Sequence, residues 1–346
     1  MILRKELPMI YPNITSYPKH ANMLACVGQY ENSIQWFYNY YVQLHTGKNP
    51  ENQGGFIDFC APQAWRGCPW FHTQKIDRSF MIKGWNSASK FILDCIDSDY
   101  YIYLYLDQFY IPDSWAFQTQ HFPHDSFIYG YDCYNKQINI ADFYKYSKYS
   151  FSTASFSQID EACRDEELLH ANDQLGGIIL VKPTKYDYFN FDLKLLKALI
   201  EDYLQSKVSS KSYTDNYRIE VGDNRGWWAY GLEVYSHFIK FLEYVVQQKV
   251  ALDIRGFQVL IDHKTLMLSR IKFLAEQKLL TSVDSIYVEY EAIKNECVKI
   301  RNIAIKCYVT DNVKGIQKII DDIPVIVEKE RNVLEKLLDN LVDNSE

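Results

Sequence analysis

His124 and Asp142 bracket a stretch that reads as two short strands joined by a polar turn. Phe127-Ile-Tyr-Gly-Tyr131 is a largely apolar run, and Ile138, Ile140 and Phe143 belong to a second, alternating one. Between them Asp132-Cys-Tyr-Asn-Lys136 supplies turn residues. A histidine that opens the first strand and an aspartate that closes the second can lay an imidazole beside a carboxylate. Such a pair is the base and its orienter in nucleophilic catalysis. The same two residues also fit an ordinary structural role at the ends of two strands, because paired ionisable groups are often structural.

The segment from His124 to Asp142 resembles the second half of a papain-like cysteine peptidase core, as in the bacteriocin-processing peptidases. The chain as a whole resembles the butirosin biosynthesis protein H family. The resemblance runs through Tyr100-Tyr-Ile-Tyr-Leu-Tyr-Leu-Asp107-Gln-Phe-Tyr-Ile-Pro112, the His124 and Asp142 hairpin, Trp228-Ala-Tyr-Gly231-Leu-Glu-Val-Tyr235 and Leu260-Ile-Asp-His263-Lys264-Thr-Leu-Met267-Leu-Ser-Arg270. It implies an α+β, papain-like N-terminal domain followed by a mostly α-helical C-terminal domain. It also implies an acyl or peptidyl transferase, or a cyclase or thioesterase-like enzyme, acting through Cys-His-Asp on a carrier-protein-bound thioester in nonribosomal peptide or related natural-product biosynthesis. The catalytic set would be Cys26, His124 and Asp142, with Asp107 and His20 as substrate-binding candidates. The phosphopantetheine would belong to an acyl or peptidyl carrier partner, so the chain needs no cofactor of its own. The alternative is a binding or assembly protein that keeps the fold without the chemistry.

The nucleophile decides between these two. In papain-like enzymes the cysteine stands at the N-terminus of the first long helix, where the macrodipole and a nearby imidazolium lower the thiol pKa. Cys26 is the nearest thiol upstream of a helix expected from Glu31, in His20-Ala-Asn-Met-Leu-Ala-Cys26. The resembled family places its cysteine directly after a histidine of this kind, and here Ala21 and Asn22 stand there. Cys68, in Arg66-Gly-Cys68-Pro-Trp70, has no helix behind it and is the weaker choice. Asp107 can line a cleft or simply end its strand, and His121 is expected to face solvent. His263, Lys264 and Arg270 fall inside a helix; a solvated face is expected, with a carrier-phosphate contact as the sharper alternative.

Elements of two kinds must position these residues. To about residue 180 the strands are short and aromatic, with helices expected over Glu31 to Leu44 and Gly84 to Ile96. Beyond Pro183 apolar residues recur at three- and four-residue spacing over Asp192 to Leu204, Trp228 to Gln248, Ile254 to Gln277, Ser285 to Lys306 and Val313 to Leu341. The loops Ser209 to Asn216 and Val221 to Gly226 are polar and turn-rich. Domains are therefore expected over 1–182 and 183–346.

The 346 residues, 47% of them hydrophobic, suffice for sizeable cores. A net charge of -7 gives no basic field for nucleic acid. Neither a signal peptide nor a bilayer-spanning run is apparent, which points to the cytoplasm and no membrane. The eight cysteines lack paired zinc-site spacing and are expected as free thiols, so no metal is expected. A small-molecule or peptidyl substrate is expected, and a homo-oligomer is compatible with the sequence.

Overall fold

A computed structural model describes the chain apart from Met1, Glu31, Gly54, 62–66, 146–147, 165–176, 185–188, 210–225 and 343–346. Most of the two expected polar loops after Val208 lies outside the described residues, as does the Glu31 expected to start a helix. The described strands, in chain order, are β1 (Arg4–Glu6), β2 (Leu44–Gly47), β3 (Ile57–Phe59), β4 (Phe71–Asp77), β5 (Tyr101–Asp107), β6 (Pro123–Asp132), β7 (Gln137–Asp142), β8 (Ser150–Ser155), β9 (Gly177–Pro183) and β10 (Trp228–Tyr230). With helices and antiparallel sheets the class is α+β. No helix among the described residues is long and apolar enough to cross a membrane.

The chain divides into two compact units, Met1–Ser33 with Ala64–Tyr188, and Ile34–Gln63 with Phe189–Glu346. In this division the early segment 34–63 belongs with the second unit, whereas the expected division at residue 182 puts it in the first. Its strands β2 and β3 pair with each other, and β2 pairs with β10, so this segment completes a three-stranded sheet of the second unit. Arg270 reinforces the assignment: its guanidinium donates to the Tyr38 carbonyl at 2.6 Å and the Tyr41 carbonyl at 3.0 Å. These lie at the end of the Ser33–Tyr40 helix, where free carbonyls favour a cation.

The first unit is built on a seven-stranded antiparallel sheet in the order β4-β9-β5-β6-β7-β8, with β1 on β6. In β5 the period-two alternation sends Tyr101, Tyr103 and Tyr105 to one face and Ile102, Leu104 and Leu106 to the other. The β6–β7 turn is closed by the Asp132 carboxylate, which accepts the Tyr134 and Asn135 amides at 2.8 and 3.1 Å. The β6–β7 register shifts between Ile128 and Gly130, and the glycine lets β1 approach, since a Cβ on Gly130 would stand 2.7 Å from the Lys5 carbonyl oxygen. The helix expected from Gly84 to Ile96 is instead two, Arg78–Trp85 and Ala88–Asp97. Asn86, at φ 57°, ends the first in a left-handed cap, and the Ser87 side chain accepts the Lys90 amide to start the second.

The second unit holds the long helices Leu193–Leu204, Glu233–Val246, Arg255–Glu276, Val283–Thr310 and Ile316–Asp339. The expected helix from Trp228 starts only at Glu233, because Trp228, Ala229 and Tyr230 extend to pair with Gly47, Thr46 and His45. Gly231 makes the turn at φ 55°, and a Cβ there would lie 2.1 Å from the Tyr203 carbonyl oxygen. Gly231→Ala should therefore lower unfolding stability by at least about 1–3 kcal/mol from backbone strain, before the clash is counted. A chemical-denaturation midpoint equal to wild type would rule this out.

Candidate active site

The register of the sheet brings three strand ends together. Leu106, one residue before the end of β5, is opposite His124 at the start of β6, and Asp142 closes β7. His124 Nδ1 lies 2.8 Å from Asp142 Oδ2. The carboxylate is fully buried while the imidazole side chain is 32% exposed, so the orienter is shielded and the base can be reached. His124 Nε2 makes no hydrogen bond to any described residue. With Asp142 holding Nδ1–H, Nε2 carries the lone pair that a base needs.

Opposing effects tune the pair. Burial on its own would lower the His124 pKa, but the hydrogen bond and charge of Asp142, then Asp125, outweigh it and raise the imidazole above its ordinary value. Burial pushes the Asp142 carboxyl up, against the pull of His124 and the Phe143 amide. The two protons belong to a coupled pair.

Gln108 and Ser114 complete the group, and the sequence reading did not single out either. Gln108 Nε2 donates to Asp142 Oδ2 at 2.9 Å, and Ser114 Oγ donates to Gln108 Oε1 at 2.7 Å. The only sequence sign of Gln108 is its place directly after the strand-ending Asp107. Aromatic rings flank the base: Phe122 stacks on His124 at 5.3 Å, and Trp115, 54% exposed, packs on Phe122 at 5.2 Å.

Asp107 is buried and shapes the loop. Its Oδ1 accepts the Phe109 and Phe122 amides at 3.1 and 2.9 Å, and its Oδ2 meets His121 Nδ1 at 2.5 Å. These contacts hold the residues after β5 to the start of β6. His121 is solvent-exposed yet tied to that carboxylate and stacked on Phe109 at 4.5 Å.

The thiols are elsewhere. Cys26 sits in the last turn of the Pro18–Val27 helix, at the carbonyl end and not at the N-terminus where the macrodipole would favour a thiolate. It is fully buried and faces the Tyr101 hydroxyl, and burial drives its pKa well up. Among the described residues no hydrogen bond links Cys26 to His124. His20 lies in the first helical turn, buried, with its ring edge-on to Tyr17 at 6.4 Å. Cys68 is also buried and its thiol is pushed up by desolvation.

His263, Lys264 and Arg270 correct an expectation of a different kind, since all three are buried in the second unit and not on a solvated helical face. Arg255–Glu276 is a core helix, and its buried His263, Lys264 and Arg270 bond the Val42 carbonyl, Glu330 and the Tyr38 and Tyr41 carbonyls respectively. Among the described residues no group of three or more His, Cys, Asp or Glu side chains is arranged to hold a metal ion. No family model matches the chain, and no curated protein matches it.

Proposed function

We propose that this chain is an acyl-transfer enzyme of papain-like fold that acts on a carrier-bound acyl, aminoacyl or peptidyl thioester in nonribosomal peptide or related biosynthesis. The observation that carries the reading is the His124 imidazole, tethered at Nδ1 to a buried carboxylate and open at Nε2. The resemblance to the butirosin biosynthesis protein H family supplies the substrate class, a thioester on the phosphopantetheine of a carrier protein in the cytoplasm. The burial of Cys26 and its place at the carbonyl end of its helix favour direct transfer over an acyl-enzyme.

In the direct route Nε2 removes a proton from the acceptor amine as its nitrogen attacks the thioester carbonyl. The tetrahedral intermediate collapses with loss of the C–S bond, and the imidazolium returns the proton to the departing pantetheine thiolate. One C–N bond forms, one C–S bond breaks, and the histidine ends as it began. A thiolate is already a good leaving group, so positioning the acceptor is the main demand on the protein. Asp142 holds the tautomer and stabilises the transient imidazolium. The second reading, a non-catalytic binding or assembly protein, is favoured by one observation: Ala21 and Asn22 follow His20 where the resembled family carries its cysteine.

Incubation of the protein with an aminoacyl-loaded carrier and an amine, followed by mass spectrometry of product and protein, separates the alternatives. Cys26→Ser should transfer within about threefold of wild type and carry no acyl adduct. A Cys26-dependent rate with the acyl mass on the Cys26 peptide would restore the covalent route. A wild-type rate no faster than the carrier and amine alone would leave the binding reading.

A further inference from the structure

The geometry points to Gln108 and Ser114 as positioning residues that hold Asp142, and through it His124, in the base-competent arrangement. This rests on the reading of His124 and Asp142 as base and orienter. A carboxylate only accepts hydrogen bonds, so the side-chain amide facing Asp142 must present its NH2 group. That requirement fixes the Gln108 carboxamide with Nε2 toward Asp142 Oδ2 at 2.9 Å and Oε1 toward Ser114 Oγ at 2.7 Å. Ser114 Oγ in turn accepts the Ala116 amide at 3.1 Å. Donors therefore point in one direction, from Ser114 through Gln108 to Asp142.

The same carboxylate oxygen takes His124 Nδ1 at 2.8 Å, so Gln108 and His124 hold Oδ2 from two sides. Gln108 is itself pinned, since its amide donates to the Phe122 carbonyl at 3.0 Å and its neighbour Asp107 binds the Phe109 and Phe122 amides. Gln108 and Ser114 are both buried, which keeps water from replacing either bond. Without the Gln108 donor the carboxylate can turn about its side-chain bonds and lose its hold on Nδ1–H. Neutral histidine then populates the Nε2–H tautomer, which puts the proton where the lone pair is needed.

The test is nitrogen-15 NMR of the histidine-labelled full chain, above the pH at which His124 titrates, together with the pH dependence of its ring shifts. Wild type should give the Nδ1–H form of His124. Gln108→Met, which keeps the length and removes both polar groups, should convert His124 to a mixture with a large Nε2–H share and move its titration midpoint. Ser114→Ala, which frees Gln108 Oε1 and the Ala116 amide but leaves the Gln108 bond to Asp142, should shift both readings less and in the same direction. In the transfer assay Gln108→Met should lower kcat roughly tenfold or more, with KM within about twofold. If Gln108→Met folds and His124 keeps its tautomer and midpoint, the inference is overturned; if Gln108→Met does not fold, an unchanged Ser114→Ala spectrum overturns it. The NMR readings need no substrate, so failure of the transfer reading leaves them interpretable.

Discussion

His124→Ala should slow acyl transfer from a loaded carrier by about 10²–10⁴-fold, the usual contribution of a positioned general base. The loss should fall on kcat, because the imidazole takes up its proton in the transition state and the substrate's bulk binds elsewhere. The variant should stay folded, because Gln108 Nε2 still donates to Asp142 Oδ2. Asp142→Asn tests the same site by pH. In wild type the rate should rise with pH and level off above an apparent pKa higher than that of free histidine, because Asp142 raises the His124 value over the opposing effect of burial. Removing the carboxylate leaves burial opposed only by Asp125, so the acid limb should move to lower pH while the plateau drops. A wild-type limb below the free-histidine value, or an unmoved limb in Asp142→Asn, would break the assignment.

The same pair sets the sign of a stability effect. His124 and Asp142 both bind protons more tightly in the folded chain than in the unfolded one. The His124 contribution is fully present below the unfolded histidine pKa of about 6.5 and is lost as pH rises through its higher folded value. Asp142, also raised, is stabilising below about 3.9 and loses that contribution as pH climbs toward its own folded value. Across both windows the pair's contribution therefore declines with rising pH, the reverse of the usual salt-bridged aspartate.

The parts of this molecule that could be read from sequence are those where local pattern and tertiary packing agree. The His124 to Asp142 hairpin was legible because alternation, turn residues and the period of two all fix the same register, and a fixed register dictates which strand ends meet. The five long C-terminal helices were legible for the same reason, through three- and four-residue spacing. Trp228 to Tyr230 was not, because a three-residue edge segment has too little alternation to outweigh the helical pattern that follows it. Nor was the membership of 34–63 in the second unit, since pairing of β2 with β10 joins residues far apart in sequence. Gln108 was invisible because its role comes from a side-chain bond between two strand ends, for which spacing gives no signal. Proximity in the chain points to Cys26, whereas thiol activation depends on which end of a helix it occupies and how deeply it is buried.

Glu330→Ala should destabilise the second unit by about 3–5 kcal/mol, because it strands a buried cation. Lys264 is fully buried and its ammonium bonds Glu330 Oε1, His263 Nδ1 at 3.0 Å and the Tyr203 hydroxyl at 3.5 Å. Those three contacts use all three ammonium protons. Glu330 is satisfied as well: Tyr290 donates to Oε1 at 2.8 Å and Tyr235 to Oε2 at 2.9 Å. His263 can accept from Lys264 only because it is neutral, burial and the adjacent ammonium pushing its pKa well down, while its Nε2–H donates to the Val42 carbonyl at 2.8 Å. Alanine at 330 removes the sole carboxylate of this set and leaves three donors, Lys264, Tyr235 and Tyr290, without their acceptor. Replacing both charges by apolar groups of similar length, Lys264→Met with Glu330→Leu, should recover most of the loss, since a buried ion pair contributes little net stability over well-packed side chains. Urea unfolding of Lys264→Met, Glu330→Leu and the double variant forms a complete cycle. A double variant as unstable as the sum of the singles would mean that the pair is not coupled, and that the cost lies with the tyrosine hydroxyls alone.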